Sequence, residues 1–270
     1  MTSPTKLKTM QLRGMPCRQL YTTSRGFSLI ELIIVIVILG VLSVGISSFI
    51  GFGTQVYTDA TARDQVVSSA RFAIERLNRE LRNALPNSMC LTNTSNGPCV
   101  EDASQCLKFT PIIEAATYLD IPVVPDEASN SIKLIKFTED TFDPTGWSAI
   151  VYPLRPADVY GLSGKVFPVS DIVDDIGNDW EIELENERQF AEHSPTQRIF
   201  FIKGAVSYCL TGGELRREGV LMAEDITNAN PFTIKNSSLQ RNAIVQVYLK
   251  FDKSNESIVF NNEIQVPNVP

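Results

Sequence analysis

The order of apolar and polar residues divides the chain into three stretches. From Phe27 to Phe52 almost every residue is apolar, with Glu31 the one charged side chain in the run. From Thr54 to Leu85 there is neither Gly nor Pro, and apolar residues recur at Val66, Ala70, Ile74, Leu77, Leu81 and Leu85. That spacing predicts an amphipathic helix whose stripe packs on a globular body. Glu75 with Arg79, and Arg76 with Glu80 in the reverse order, supply i,i+4 pairs on its polar side. Pro86 is expected to end it. Gly51 and Gly53, between the two stretches, weaken a continuous helix by about 1 kcal/mol each relative to Ala.

Beyond Pro86 the pattern changes to short runs rich in β-branched and aromatic residues: CLKFTP, SIKLIKF, SAIVYP, QRIFFIKG, AVSYCL and NAIVQVYLKF. In the last, Val245, Val247, Leu249 and Phe251 alternate with Gln246, Tyr248 and Lys250, which predicts a half-buried antiparallel strand. GGELRRE follows SYCLT closely enough to form a hairpin with it. No internal repeat is evident. The expected class is α+β, a long N-terminal helix against an antiparallel sheet with one core. The expected regions are a leader at 1–26, an apolar helix at 27–52, its amphipathic continuation at 53–85 and a β-rich head at 86–270.

Charge gives the apolar run a direction. Residues 1–26 hold Lys6, Lys8, Arg13, Arg18 and Arg25 and no acid, which keeps that end in the cytoplasm. As a helix, residues 27–52 rise about 39 Å, enough to cross a bilayer. The run is too long for the core of an ordinary secretory signal, and no small-x-small cleavage site closes it. A single-pass anchor with the head outside the cytoplasm follows. Glu31 is anomalous in such an anchor, because a carboxylate well inside a span costs about 2.5 to 3.5 kcal/mol. A snorkelling or protonated Glu31 is one reading, and a positive partner found when helices pack together is the other.

Gly26-Phe27-Ser28-Leu29-Ile30-Glu31 resembles the processing site of type IV prepilins and type II secretion pseudopilins. The resemblance covers about a tenth of the chain and implies a type IV pilin-like fold. It implies cleavage by the prepilin peptidase between Gly26 and Phe27, N-methylation of Phe27, and pairing of Glu31 with the N-terminal amine of a neighbouring subunit. The leader is longer than the family's usual one, and Met10 and Met15 are alternative starts. The stretches ARFAIERLNRELRNALPNS, QRIFFIKGAVSYCLTGGELRRE and NEIQVPNVP look like the J-type, or PilW-like, minor prepilins, nearest to those of the mannose-sensitive haemagglutinin (MSHA) pilus. The implied partners are other minor pilins, the major pilin and the inner-membrane assembly platform. The implied location is the inner membrane with a periplasmic head, then the pilus, where a bulky head favours the tip. A pseudopilin of a type II secretion system and a tip adhesin are the alternatives.

Removing residues 1–26 takes five of 24 basic residues and none of 31 acids, leaving a formal charge of −12. That balance disfavours nucleic acid and suits an exported soluble head. Of five cysteines, Cys17 lies in the leader; Cys90, Cys99, Cys106 and Cys209 remain, an even number in a disulfide-permitting compartment. Three connectivities are open. The preferred one is Cys90–Cys99 across the turn-rich LTNTSNGP, with Cys106–Cys209 joining two strand-like runs; free thiols or a metal site are the rivals. No pair has Cys-x-x-Cys spacing.

No catalytic motif stands out, and no enzyme activity or cofactor is expected. The single histidine, His193, lies in the loop-like FAEHSPTQ, where a surface role is expected. The acidic run DIVDDIGNDWEIELENE reads as a solvated loop. Asp171, Asp174, Asp175, Asp179 and Glu181 are weak calcium candidates, without EF-hand spacing.

Overall fold

A computed structural model describes residues 26–136, 143–161, 165–174, 179–235, 242–253 and 256–266. The chain divides into two units, residues 1–56 and residues 57–270. One helix, α1 (Leu29–Arg82), begins in the first unit and ends in the second. Gly51 and Gly53 are both helical, so their propensity cost does not break it.

In the second unit the buried residues of α1 are Val66, Ala70, Ala73, Leu77 and Leu81, with Ile74 partly buried beside them. Ala73, absent from the expected stripe, lies between Ala70 and Leu77 and lets the helix approach closely. The helix stops at Arg82, three residues before its expected end. Leu85 N–H instead donates to Thr110 O at 2.8 Å, and Ile112 N–H to Asn83 O at 2.9 Å. A residue before proline avoids the helical region, and here strand-like pairing takes up the released groups.

The rest of the unit is almost entirely antiparallel β structure. The five-stranded sheet contains β1 (Cys90–Thr92), β2 (Cys106–Phe109), β9 (Val206–Thr211), β10 (Glu214–Arg217) and β11 (Val220–Ala223), in that order. The three-stranded sheet is β12 (Phe232–Lys235), β13 (Ala243–Lys253) and β14 (Glu256–Val266). The stripe of α1 and the inner faces of both sheets form one core, including Phe109, Tyr208, Phe232 and Phe251. The alternation in β13 is as expected: Val245, Val247, Leu249 and Phe251 are buried, while Tyr248 is exposed. The β9–β10 hairpin forms through Gly212 and Gly213, at φ 62° and 84°. Positive φ at both central positions is what a two-residue hairpin turn with matching twist needs.

The remaining six strands close into a barrel, which departs from the expected single core. They are β3 (Ile112–Asp120), β4 (Ser129–Ile135), β5 (Ser148–Val151), β6 (Val166–Asp174), β7 (Asp179–Arg188) and β8 (Arg198–Ile202). Around the barrel the order is β3-β4-β7-β6-β5-β8. A short helix, α2 (Pro156–Tyr160), joins β5 to β6. Register shifts interrupt the β3–β4, β3–β8, β4–β7 and β6–β7 pairs. Such bulges bend and twist strands enough to close a sheet on itself. Trp180, Phe167, Phe201 and Leu134 belong to the barrel's own core. In β8, Ile199 and Phe201 face that core, while Phe200 and Ile202 pack outside with Leu85 and Ile150. Burial on both faces explains the unbroken apolar run RIFFI.

Both expected cysteine pairs are disulfides here. Cys90 and Cys99 have Cα atoms 5.4 Å apart, and Cys106 and Cys209 have theirs 4.1 Å apart. The second pair sits directly opposite in the β2–β9 register. It closes a sequence separation of 103 residues, and the whole barrel lies inside that loop. In the chain-entropy model a loop of this size stabilises by about 4.7 kcal/mol before strain is subtracted.

Glu80 fastens α1 to the five-stranded sheet. Its carboxylate accepts from Arg217 Nε at 2.9 and 3.0 Å, from Tyr208 Oη at 3.0 Å and from Arg76 Nε at 2.7 Å. Arg76–Glu80 is one of the two expected i,i+4 pairs; no Glu75–Arg79 ion pair forms among the described residues. Burial raises the Glu80 pKa, but the hydrogen bonds from Arg217, Arg76 and Tyr208 outweigh it and the net shift is downward. Tyr208 shifts upward, from burial first and the Glu80 charge second.

A carboxylate depressed by folding adds stability that is present above its unfolded pKa and lost as pH falls through its folded pKa. Chemical denaturation should therefore show Arg217→Ala destabilising the head by about 1.5 to 3 kcal/mol near neutral pH. The difference from wild type should shrink as pH falls below the ordinary glutamate range. An unchanged difference at low pH would remove Glu80 from the account. Reduction of the disulfides should lower the thermal midpoint, and Cys106→Ser/Cys209→Ser should lower it more than Cys90→Ser/Cys99→Ser.

Candidate processing and assembly site

The sequence-predicted site residues Gly26, Phe27 and Glu31 lie in the first unit. Gly26, Phe27 and Ser28 precede the helix, and Phe27 is exposed. The scissile position expected from the motif is thus in non-helical backbone beside the first turn of α1. A peptide bond outside the helix is free of the i→i−4 ladder that would otherwise have to open for a protease.

Ser28 caps α1. Its Oγ accepts from Glu31 N–H at 3.2 Å, and its carbonyl accepts from Leu32 N–H at 3.2 Å. Ser28-x-x-Glu31 has the spacing of a capping box, a signal legible in the sequence but missed there in favour of the charge anomaly. Glu31 therefore occupies the N3 position, where the helix macrodipole favours an acid by about 0.3 to 1 kcal/mol. That is smaller than the cost of about 2.5 to 3.5 kcal/mol for a carboxylate within a span. The cap accounts for part of Glu31's placement; at N3, close to the start of the span, that mid-span cost is an upper bound. Among the described residues the Glu31 carboxylate has no ion-pair partner.

From Leu29 to Ile50 every residue of α1 is exposed. The segment is long and apolar enough to cross a membrane, and none of its apolar window is buried in the protein. The core helix of a soluble domain would have that window covered. Two hydroxyls in and just beyond the span back-bond to the helix: Ser43 Oγ donates to Leu39 O at 2.6 Å and Thr54 Oγ1 to Gly51 O at 2.9 Å. Such back-bonding suits a helix that has no water to turn to.

The other candidates are placed as follows. The described part of the acidic run is strand rather than loop, with Asp171 on β6 opposite Glu183 on β7. Asp171 Oδ1 accepts from Ile172 N–H at 2.8 Å, and Glu181 accepts from Ser131 Oγ. Asp179 opens β7, Asp174 ends β6, and Asp175 lies outside the described residues. Among the described residues no group of three or more His, Cys, Asp or Glu side chains converges to hold a metal. His193 is exposed and stacks on Tyr118 with ring centroids 6.1 Å apart, its Nδ1 3.3 Å from the Tyr118 hydroxyl. Tyr118 Oη also accepts from Ser194 N–H at 2.9 Å, so these contacts pin the turn before β8. Residues 1–25 of the leader, including Cys17 and Arg25, lie outside the described residues.

Residues 22–47 match the family model described as the prokaryotic N-terminal methylation motif. No curated protein and no solved structure matches the chain. The matched segment runs from before the scissile position to well inside the apolar helix, and takes in Gly26, Phe27, Ser28 and Glu31 together. The chain therefore carries, on an exposed membrane-length helix, the motif that marks type IV pilin- and pseudopilin-type proteins.

Proposed function

We propose that the protein is a minor pilin of an MSHA-type type IV pilus, similar to MshO. It joins other minor pilins in a complex that primes or tips the filament, and it catalyses no reaction. The observation that carries this reading is the uncovered apolar helix that begins just after Gly26-Phe27 and holds in its first turn a Glu31 with no ion-pair partner among the described residues. An apolar helical stretch that none of the described residues covers is one that other helices or lipid must cover. The head, with two sheets and a closed barrel, is bulky for a unit repeated along a packed shaft, which favours a tip position.

In this reading the prepilin peptidase cuts after Gly26 and Phe27 becomes a methylated N-terminus. The subunit waits in the inner membrane with its head in the periplasm, and the assembly platform draws it into the filament. There Glu31 meets a neighbour's amine. At about 4 Å and an effective dielectric near 20, the attraction is about 4 kcal/mol before desolvation. The sign favours the assembled state over the lone subunit in lipid. Each subunit offers one amine and one Glu31, so the same contact sets register.

Mass spectrometry of membrane-extracted protein should find an N-methylated Phe27 as the first residue. A first residue elsewhere, or unaltered processing of Gly26→Ala, would remove the processing site from this account. Glu31→Ala and Glu31→Gln should insert and be cleaved normally, yet copurify poorly with other minor pilins. Glutamine keeps the shape and removes the charge, so recovery of both variants at wild-type levels would sink charge pairing. The major subunit recovered with the wild-type protein separates a pilus from a type II secretion machine, whose pseudopilins share the motif.

A further inference from the structure

Within the second unit a groove of about 660 Å³ lies where the five-stranded sheet, the three-stranded sheet and α2 meet. One wall is the loop closed by Cys90–Cys99, and the other is α2 with its flanking residues. Met89, Leu91, Val100 and Ile234 give it an apolar lining. Its volume falls in the range of ordinary ligand sites, and junctions between substructures are where such sites form.

Two features of the groove point to the same kind of occupant. The first is Lys108. Its ammonium stands 4.4 Å from the centroid of the Tyr160 ring, and the Tyr160 hydroxyl is held by Thr110 Oγ1 at 3.1 Å. Nearby, Arg155 and Lys165 both reach Asp158, at 3.3 and 3.4 Å. Lys108 has no such carboxylate among the described residues, although the mature chain carries a formal charge of −12. Glu101, the acid on the groove's lining, makes no ion pair with it.

The second feature is the edge of β12. Phe232 exchanges both backbone hydrogen bonds with Ser104, on the side away from β13. Pro231 O instead accepts from Tyr248 N–H of β13. Alternation along a strand therefore turns the N–H and C=O of Ile234 to the same outer side as those of Phe232. No residue among those described bonds to them. An open donor and acceptor on a strand edge recognise a peptide backbone, not a bare anion.

We propose that this groove docks an extended acidic segment of a partner protein. The segment's backbone adds to β12 at Ile234, its alternate apolar side chains enter the lining, and one of its Asp or Glu carboxylates meets Lys108. The Cys90–Cys99 disulfide keeps the facing wall in place.

The test titrates the full chain, isotope-labelled in detergent micelles, with the peptide acetyl-Val-Glu-Val-Glu-Val-amide. Its Gln-for-Glu counterpart and sodium acetate, at equal ionic strength, are the controls. The Glu peptide should shift the amide signals of Lys108, Ile234 and Glu101 saturably, and bind about tenfold more tightly than the Gln peptide. Lys108→Gln should abolish that preference. Ala157→Trp, on the exposed side of α2, should weaken both peptides by filling the groove. The proposal is overturned if neither peptide gives saturable shifts at Ile234, or if wild type binds the two peptides equally. It is overturned too if acetate reproduces the peptide's shifts and affinity, which marks an anion site only, or if Ala157→Trp leaves binding unchanged.

Discussion

The stripe of α1 from Val66 to Leu81 is the contact on which the head depends. Residues just outside the five-stranded sheet bridge to the three-stranded one, Ser104 with Phe232 and Ile226 with Phe251. The inner faces of the two sheets nonetheless share a single core, because Ala70, Ala73 and Leu77 fill the space between them. The two alanines allow backbone approach, and the leucines supply apolar volume. Burying a leucine side chain is worth about 1.5 to 3 kcal/mol. Directional groups then fix the helix's position on the sheet, chiefly the Glu80 carboxylate between Arg217 and Tyr208. That carboxylate is only partly buried, yet three separate donors hold it. Apolar contact supplies the larger share of the free energy, and the ionic cluster selects one register from the several that a smooth stripe would allow.

The same helix meets an opposite requirement in its first unit. There the apolar residues are covered by none of the described residues, so lipid or other helices must take that place. Helices in lipid gain little by exchanging lipid for one another, because tails are as apolar as leucine. Association then has to draw on polar contacts, and Glu31 is the charged group available for one in the span. Its position at N3, capped through Ser28, holds the carboxylate at the helix start at little cost to the helix. In the proposed pairing the carboxylate is expensive where it is alone and favourable where it is paired, and that difference would separate a stored subunit from an assembled one.

Much of this was legible from local pattern. Gly26, Phe27 and Glu31 form a short motif whose meaning needs no tertiary information. The alternation in β13, the Gly212-Gly213 turn and the short Cys90–Cys99 loop are also local facts. The barrel was not legible, because closure depends on where strands slip register, and a slip between Tyr118 and Asp120 leaves no compositional mark. The double-faced burial of β8 was visible as the run RIFFI, but a continuous apolar run does not say what covers its second face. The end of α1 at Arg82 was set by strand neighbours Thr110 and Ile112, more than 25 residues away in sequence. The Ser28 cap is a local signal as well, since Ser-x-x-Glu has the spacing of a capping box.

The covalent links follow the topology. Cys106 and Cys209 lie on adjacent strands of the sheet that receives α1, and all six barrel strands lie between them in sequence. The barrel is thus an insertion whose two ends are held together at the sheet. Closing that loop removes disorder from the unfolded chain and keeps the entry and exit of the barrel together even when the barrel itself opens. The Cys90–Cys99 loop is far shorter and removes less disorder, so its effect is better sought in local shape. It holds Pro98 and Val100 against β1, where Val100 N–H donates to Leu91 O at 2.7 Å. One disulfide therefore acts on the stability of the whole head, while the other fixes one wall of a surface groove.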